Sequence, residues 1–170
     1  MSEISLLRPL SEFHIARLFS QRCSAFFDVF TSCNRAFKLD EKTRIDRWCG
    51  HCDKCRFVFL ILAPFMDKEK LVRCIGKNLL DDETQLDGFE ELLGLKGHKP
   101  FECVGEIEES RIAFDLLAHH EHWKNDKVII RLASQISSVS DNSYQKLLTP
   151  DSHHLIPEEI QSYVMERFNK

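Results

Sequence analysis

The sequence predicts a mainly helical domain with one or two short strands near its front. Three observations carry that prediction. Apolar residues recur three and four apart in one stretch after another, as one face of a helix requires. Residues that cap helices precede these stretches, and glycine or proline often follows them. The 170 residues are 43% hydrophobic and 29% charged, which suits one soluble domain with a real core.

Residues 10–19 read as a first helix, with Ser11 as its cap and Leu10 stapling against Ile15. Residues 24–30 are aromatic-rich and fit a buried strand or a short helix equally well. Residues 34–47 are polar and read as a connection. Cys52 to Ala63 is apolar nearly all round, a buried helix that Pro64 ends. Asp67 caps the next helix, with Leu71, Cys74 and Ile75 on one face and Gly76 closing it. Leu86, Phe89, Leu92 and Leu93 mark another, closed by Gly94. Residues 95–105 contain glycines and a proline without clean periodicity and read as a structured loop. Two helices follow: about 108–119, with Ile112, Leu116 and Leu117 inward, and about 127–137, capped by Asp126. A polar connection then leads to Pro157, which opens a last helix with Ile160, Val164 and Phe168.

The net charge is −4 and no block of five like charges occurs, so the basic footprint of a nucleic-acid binder is missing. The longest apolar run, 57–65, is about half of a membrane span. Met1-Ser2-Glu3-Ile4 lacks the pattern of a signal peptide. The expectation is a cytoplasmic protein with neither nucleic acid nor membrane as partner.

There are seven cysteines: Cys23, Cys33, Cys49, Cys52, Cys55, Cys74 and Cys103. An odd number without a secretion signal argues against a disulfide framework. Cys49-Gly50-His51-Cys52-Asp53-Lys54-Cys55 is the strongest chemical signal in the chain. Zinc takes four thiolates in a tetrahedron, and two Cys-x2-Cys steps bring three of them together. Gly50 gives the first step its conformational freedom, and the dipole of the following helix favours thiolate charge. Cys33 closes the site from a distance, and Cys23 is the alternative fourth ligand. A filled site leaves no position for water, so the metal is expected to be structural. An iron–sulfur cluster and a Cys49–Cys52 redox dithiol are the competing readings.

Weaker signals stand beside this one. His119 and His122 invite a metal reading but lack an acidic third ligand at helical spacing, so they read as a solvated helix end. Cys74 reads as a small core residue. Cys103 lies between Glu102 and Glu106, whose carboxylates would raise rather than lower its pKa.

The runs 33–37, 48–60 and 63–65, together with Lys99-Pro100-Phe101-Glu102-Cys103-Val104-Gly105, closely resemble the carboxyl-terminal part of the UDP-N-acetylmuramoyl-L-alanyl-L-glutamate epimerases of bacterial cell-wall synthesis. The likeness reaches from the first residues to about Phe114. Ser32-Cys33 followed by Cys49, Cys52 and Cys55 is also similar to the zinc site of the queuosine-pathway nitrile synthase, a PP-loop ATP pyrophosphatase. In that enzyme a cysteine after a strand-end serine joins three clustered ones, a parallel that selects Cys33 over Cys23.

The resemblance implies a structural zinc on Cys33, Cys49, Cys52 and Cys55. It also implies the carboxyl-terminal part of a PP-loop-like α/β enzyme, with ATP, Mg and the UDP-muramoyl-dipeptide as the complete enzyme's ligands. PP-loop enzymes hold ATP phosphates with a Ser-Gly-Gly-x-Asp-Ser loop. None of Gly50, Gly76, Gly88, Gly94, Gly97 or Gly105 lies in one. Residues 1–170 are therefore expected to form a single helical zinc domain that needs a missing segment or a separate chain carrying that loop. From their place in the family-typical loop, Cys103 and Glu106 are candidates for proton transfer and Lys99 for substrate binding. The alternative is a non-catalytic zinc-stabilised helical binding module.

Overall fold

The most apolar stretch of the chain lies at the centre of the fold. In the computed structural model, which describes residues 4–101 and 104–168, eight α-helices and several short 3-10 turns are present and no strand occurs among the described residues. The helices are α1 (Glu12–Arg22), α2 (Asp53–Leu62), α3 (Lys68–Ile75), α4 (Leu86–Leu92), α5 (Ile107–Ala118), α6 (Lys127–Leu132), α7 (Asp141–Leu148) and α8 (Glu158–Phe168). Helix α2 contacts α1, α3, α4 and α5, and its residues from Phe57 to Leu62 are all buried. A helix apolar nearly all round needs several neighbours, and α2 has four. No described helix is long and apolar enough to cross a membrane.

Local signals set most boundaries. The Ser11 hydroxyl accepts from the His14 amide at 3.0 Å, and the Asp67 carboxylate accepts from the Lys70 amide at 3.1 Å. Gly76 closes α3 in the left-handed region at φ 95°. Leu10 and Ile15 belong to a smaller cluster with Ile156, Val164 and Phe168, which ties α1 to α8.

Several expectations are corrected. The one or two short strands are absent among the described residues. Residues 24–26 instead form a 3-10 turn that turns Phe26 outward while Phe27 and Phe30 pack on Phe19 at 5.5 and 4.7 Å. The polar connection after 138 holds helix α7. Ser140 caps it, and Tyr144, Leu147 and Leu148, at helical spacing, pack on the core. Leu116 and Ile160 face out rather than in. The helix from 127 ends at Leu132 and continues only as a 3-10 turn. Asp126 stands at its cap position but makes no capping bond. Its carboxylate is drawn away by Lys68 and by the Asn78 amide at 2.9 Å.

One buried carboxylate joins two helix starts. Glu109 accepts from the Glu106 amide at 2.7 Å, closing a capping box at α5, and from the Phe13 amide in the first turn of α1 at 3.1 Å. These amides have no partner within their own helices. Replacing Glu109 with alanine strands the buried Phe13 amide and removes the cap from the part-buried Glu106 amide, at an expected cost of roughly 2–3 kcal/mol. Urea unfolding of Glu109→Ala measures this. A loss below about 0.5 kcal/mol, the range of ordinary surface substitutions, contradicts it.

Candidate metal centre

Four cysteine sulfurs converge at the amino-terminal end of α2. Cys52 occupies the cap position and Cys55 lies in the first turn, where the helix dipole favours negative charge. Cys49 reaches them through a tight turn. Gly50 adopts φ +66°, a conformation that costs other residues energy. That turn points the amides of His51 and Cys52 at the Cys49 sulfur, at 3.4 and 3.3 Å. Cys33 comes from a separate segment held against this one by side chains. The Thr31 hydroxyl donates to the Arg47 carbonyl at 2.6 Å and accepts from the Cys33 amide at 3.2 Å. The Ile45 amide donates to the Arg35 carbonyl at 3.3 Å. The Arg47 guanidinium donates to the carbonyls of Phe27 and Cys74 at 3.2 and 2.9 Å, and Trp48 meets Phe30 edge to face at 5.2 Å.

The sulfur geometry fits a single ion. The Sγ atoms stand 3.8 Å apart for Cys33 and Cys52, 3.7 Å for Cys49 and Cys55, and 3.4 Å for Cys52 and Cys55, and all four lie within 4.8 Å of one another. A tetrahedron with metal–sulfur bonds of 2.3 Å has edges of about 3.8 Å. An iron–sulfur cluster would place its thiolates on different irons and spread them further apart. A dithiol would leave two of these sulfurs without a reason to be here.

The protonation pattern points the same way. The hydrogen bond shared with Cys55 holds the Cys52 thiol well below its ordinary value, while that bond and burial push Cys55 well up. Burial pushes Cys33 up as well. Packed this closely, the sulfurs resist ionising together unless a cation supplies the compensating charge.

Cys23 ends α1 outside the cluster, and Cys74 donates to the Phe27 carbonyl at 3.0 Å as a buried structural thiol. His119 bonds the Asp115 carbonyl at 2.8 Å just past the end of α5, so His119 and His122 share no helix face.

The loop that carries the catalytic candidates is anchored on α2, the helix that bears Cys52 and Cys55. Gly105 lies so close to the Phe57 ring and the Glu109 carboxylate that a Cβ there has no room. Lys99 pairs with Glu106 at 3.1 Å, with Glu106 largely in solvent. Cys103, with Glu102, lies outside the described residues.

Sequence reasoning gave no role to Thr31, Arg47 or Glu109. A threonine two residues before a ligand cysteine is a local turn signal that was available. The reach of Arg47 and Glu109 across the fold leaves no local trace.

A sequence profile of the MurL C-terminal domain matches residues 29–147. Three curated relatives carry the name UDP-N-acetyl-alpha-D-muramoyl-L-alanyl-L-glutamate epimerase. The one from a Micromonospora species is 51% identical over 155 residues, covering 90% of this chain and 34% of its own. The one from Salinispora tropica is 52% identical over 145 residues, covering 85% and 30%. The one from Xanthomonas oryzae pv. oryzae is 45% identical over 167 residues, covering 96% and 37%. The chain thus spans about a third of the length of these relatives. No solved structure gives a significant match.

Metal analysis of the purified chain is expected to find about one ion per chain. Cys33→Ser and Cys52→Ser should lose it and melt at lower temperature, whereas Cys23→Ser should keep it. Metal-free protein that is folded and as stable as the metal-treated sample contradicts the site.

Proposed function

We propose a function from one premise: this chain belongs to the MurL C-terminal domain family. The reading is that it forms the carboxyl-terminal part of an epimerase that turns the terminal L-glutamate of UDP-MurNAc-L-Ala-L-Glu into D-glutamate, in the cytoplasm, during peptidoglycan precursor synthesis. The observation that carries it is the profile match over 29–147, which takes in both the metal centre and the loop to Gly105. Zinc is the proposed ion, because four thiolates around one closed site suit it, and its role is structural.

The chemistry follows from the acidity of the substrate. The α-proton of a glutamate with a free α-carboxylate is very weakly acidic, because the carbanion would form beside an anion. Transfer of AMP from ATP to that carboxylate, with release of pyrophosphate, removes the charge and makes the group electron-withdrawing. A base then takes the α-proton, an acid returns one on the opposite face, and water cleaves the acyl-adenylate to D-glutamate product and AMP. In this reading Mg-ATP binds outside this chain, on the region that the longer relatives carry in addition or on a separate polypeptide.

This chain contributes the loop from Gly97 to Gly105. Lys99 supplies positive charge to a phosphate or carboxylate of the substrate, on exchanging its Glu106 partner for it. Cys103 and Glu106 are the proposed proton carriers. Scaffold-held loops are where such groups act, and Gly105 fixes this one to α2.

The test is a chimera in which this chain replaces the matching third of the Micromonospora relative. Incubated with UDP-MurNAc-L-Ala-L-Glu and Mg-ATP, it is expected to form the D-glutamate product and pyrophosphate, while the 170-residue chain alone forms neither. A folded chimera without turnover contradicts the reading and favours a non-catalytic zinc module. Within an active chimera, Lys99→Ala and Cys103→Ala are expected to cut turnover at least about tenfold with the melting temperature unchanged, the signature of lost transition-state contact. Activity that survives, or that falls only in step with stability, makes the loop structural.

A further inference from the structure

The segment that the metal centre ties down also exposes apolar side chains. Phe26 and Val29 are 58% and 69% exposed, although Phe27 and Phe30 beside them pack inward on Phe19. Further along the segment, Phe37 and Leu39 are 66% and 99% exposed. Next to the 24–30 turn, α1 and α2 leave an open groove of about 140 Å³ lined by Ile15, Phe19, Phe30, Val58, Ile61 and Leu62. Charged side chains are nearly missing from it: Glu12 stands among its lining residues and Ser32, beside the ligand Cys33, is the other polar one.

We infer that this groove, together with the exposed Phe26 and Val29 of the turn that leads to its lining residue Phe30, is the surface on which the preceding region of the family's epimerases docks. The inference rests on the proposed membership in a longer enzyme. Length argues for that occupant. The curated relatives carry about twice as much further chain as this one matches, and the matching profile is that of a carboxyl-terminal domain. An apolar face of this kind is ordinary for a domain that packs on another part of its own enzyme. The placement also gives the metal centre a purpose. The four sulfurs and the Thr31–Arg47 bond fix the segment that presents the surface, so the ion shapes an interface without taking part in chemistry. The same interface would bring the loop at Gly105, held on α2 through Phe57, to a constant position relative to the adenylate-forming region.

Hydrogen exchange on the isolated chain and on the chimera described above tests this without any assay of turnover. Amides of 12–20 and 24–32 are expected to exchange roughly tenfold or more slowly in the chimera. Val29→Asp and Phe26→Asp, made at exposed positions that the isolated chain tolerates, should abolish that protection. The second route is co-expression of the tagged chain with the preceding region of the Micromonospora relative as a separate polypeptide. The pair should co-purify, and Val29→Asp should separate them. A protected chimera that is inactive supports the interface and contradicts the proposed reaction; an active chimera with an unprotected groove does the reverse. Protection already present in the isolated chain at dimer-forming concentrations makes a second copy the occupant and overturns the inference. So does a chimera that fails to fold together with a pair that fails to co-purify.

Discussion

The shape of the segment between α1 and α2 depends on bringing Cys33 to Cys49, Cys52 and Cys55. Residues 23–52 contain no α-helix and little buried apolar surface, so few local interactions hold them in one shape. In place of a core, four sulfurs converge at the start of α2, and an ion bound there would close a loop between distant positions and fasten its ends. The surrounding bonds set the approach. Thr31 spans the two segments, Arg47 ties them to the turn at Phe27 and to α3 through the Cys74 carbonyl, and Gly50 aims backbone amides at sulfur.

From this point the constraint passes into the helical core along α2. That helix is buried from Phe57 to Leu62 and packs against four others, so whatever fixes its first turn fixes the register of the rest. Phe57, one half-turn beyond Cys55, meets Gly105, and Glu109 beneath it joins the starts of α5 and α1. The metal centre and the family-typical loop are therefore two ends of one packed unit. In the proposed epimerase this arrangement separates tasks: the ion organises, the loop faces substrate, and the phosphate chemistry of ATP is supplied from outside this chain.

Much of this was legible in the sequence because the relevant forces are local. Ser11, Asp67 and Gly76 mark helix ends by bonds to residues three or four away, and the spacing of three clustered cysteines already points to the place where four sulfurs converge. What was not legible depends on distance. The choice of Cys33 over Cys23 rests on a family resemblance; what places Cys33 beside the other three sulfurs is the Thr31–Arg47 bond, made across sixteen residues. Helix α7 hid behind serines and aspartates that suggest a loop, until Tyr144, Leu147 and Leu148 found apolar partners. The expected strands are absent because the aromatic run at 24–30 has no strand to pair with among the described residues, and a tight turn packs Phe27 and Phe30 on Phe19 instead. Asp126 was read as a cap from its position, but a lysine brought near by the fold outbid the backbone.

The measurement closest to the central claim is X-ray absorption at the metal edge of the purified chain. One zinc ion with four sulfur neighbours at about 2.3 Å, and no nitrogen or oxygen neighbour, is the result expected of a closed site built from Cys33, Cys49, Cys52 and Cys55. A mixed shell with histidine or water, or metal–metal scattering from a cluster, would contradict it.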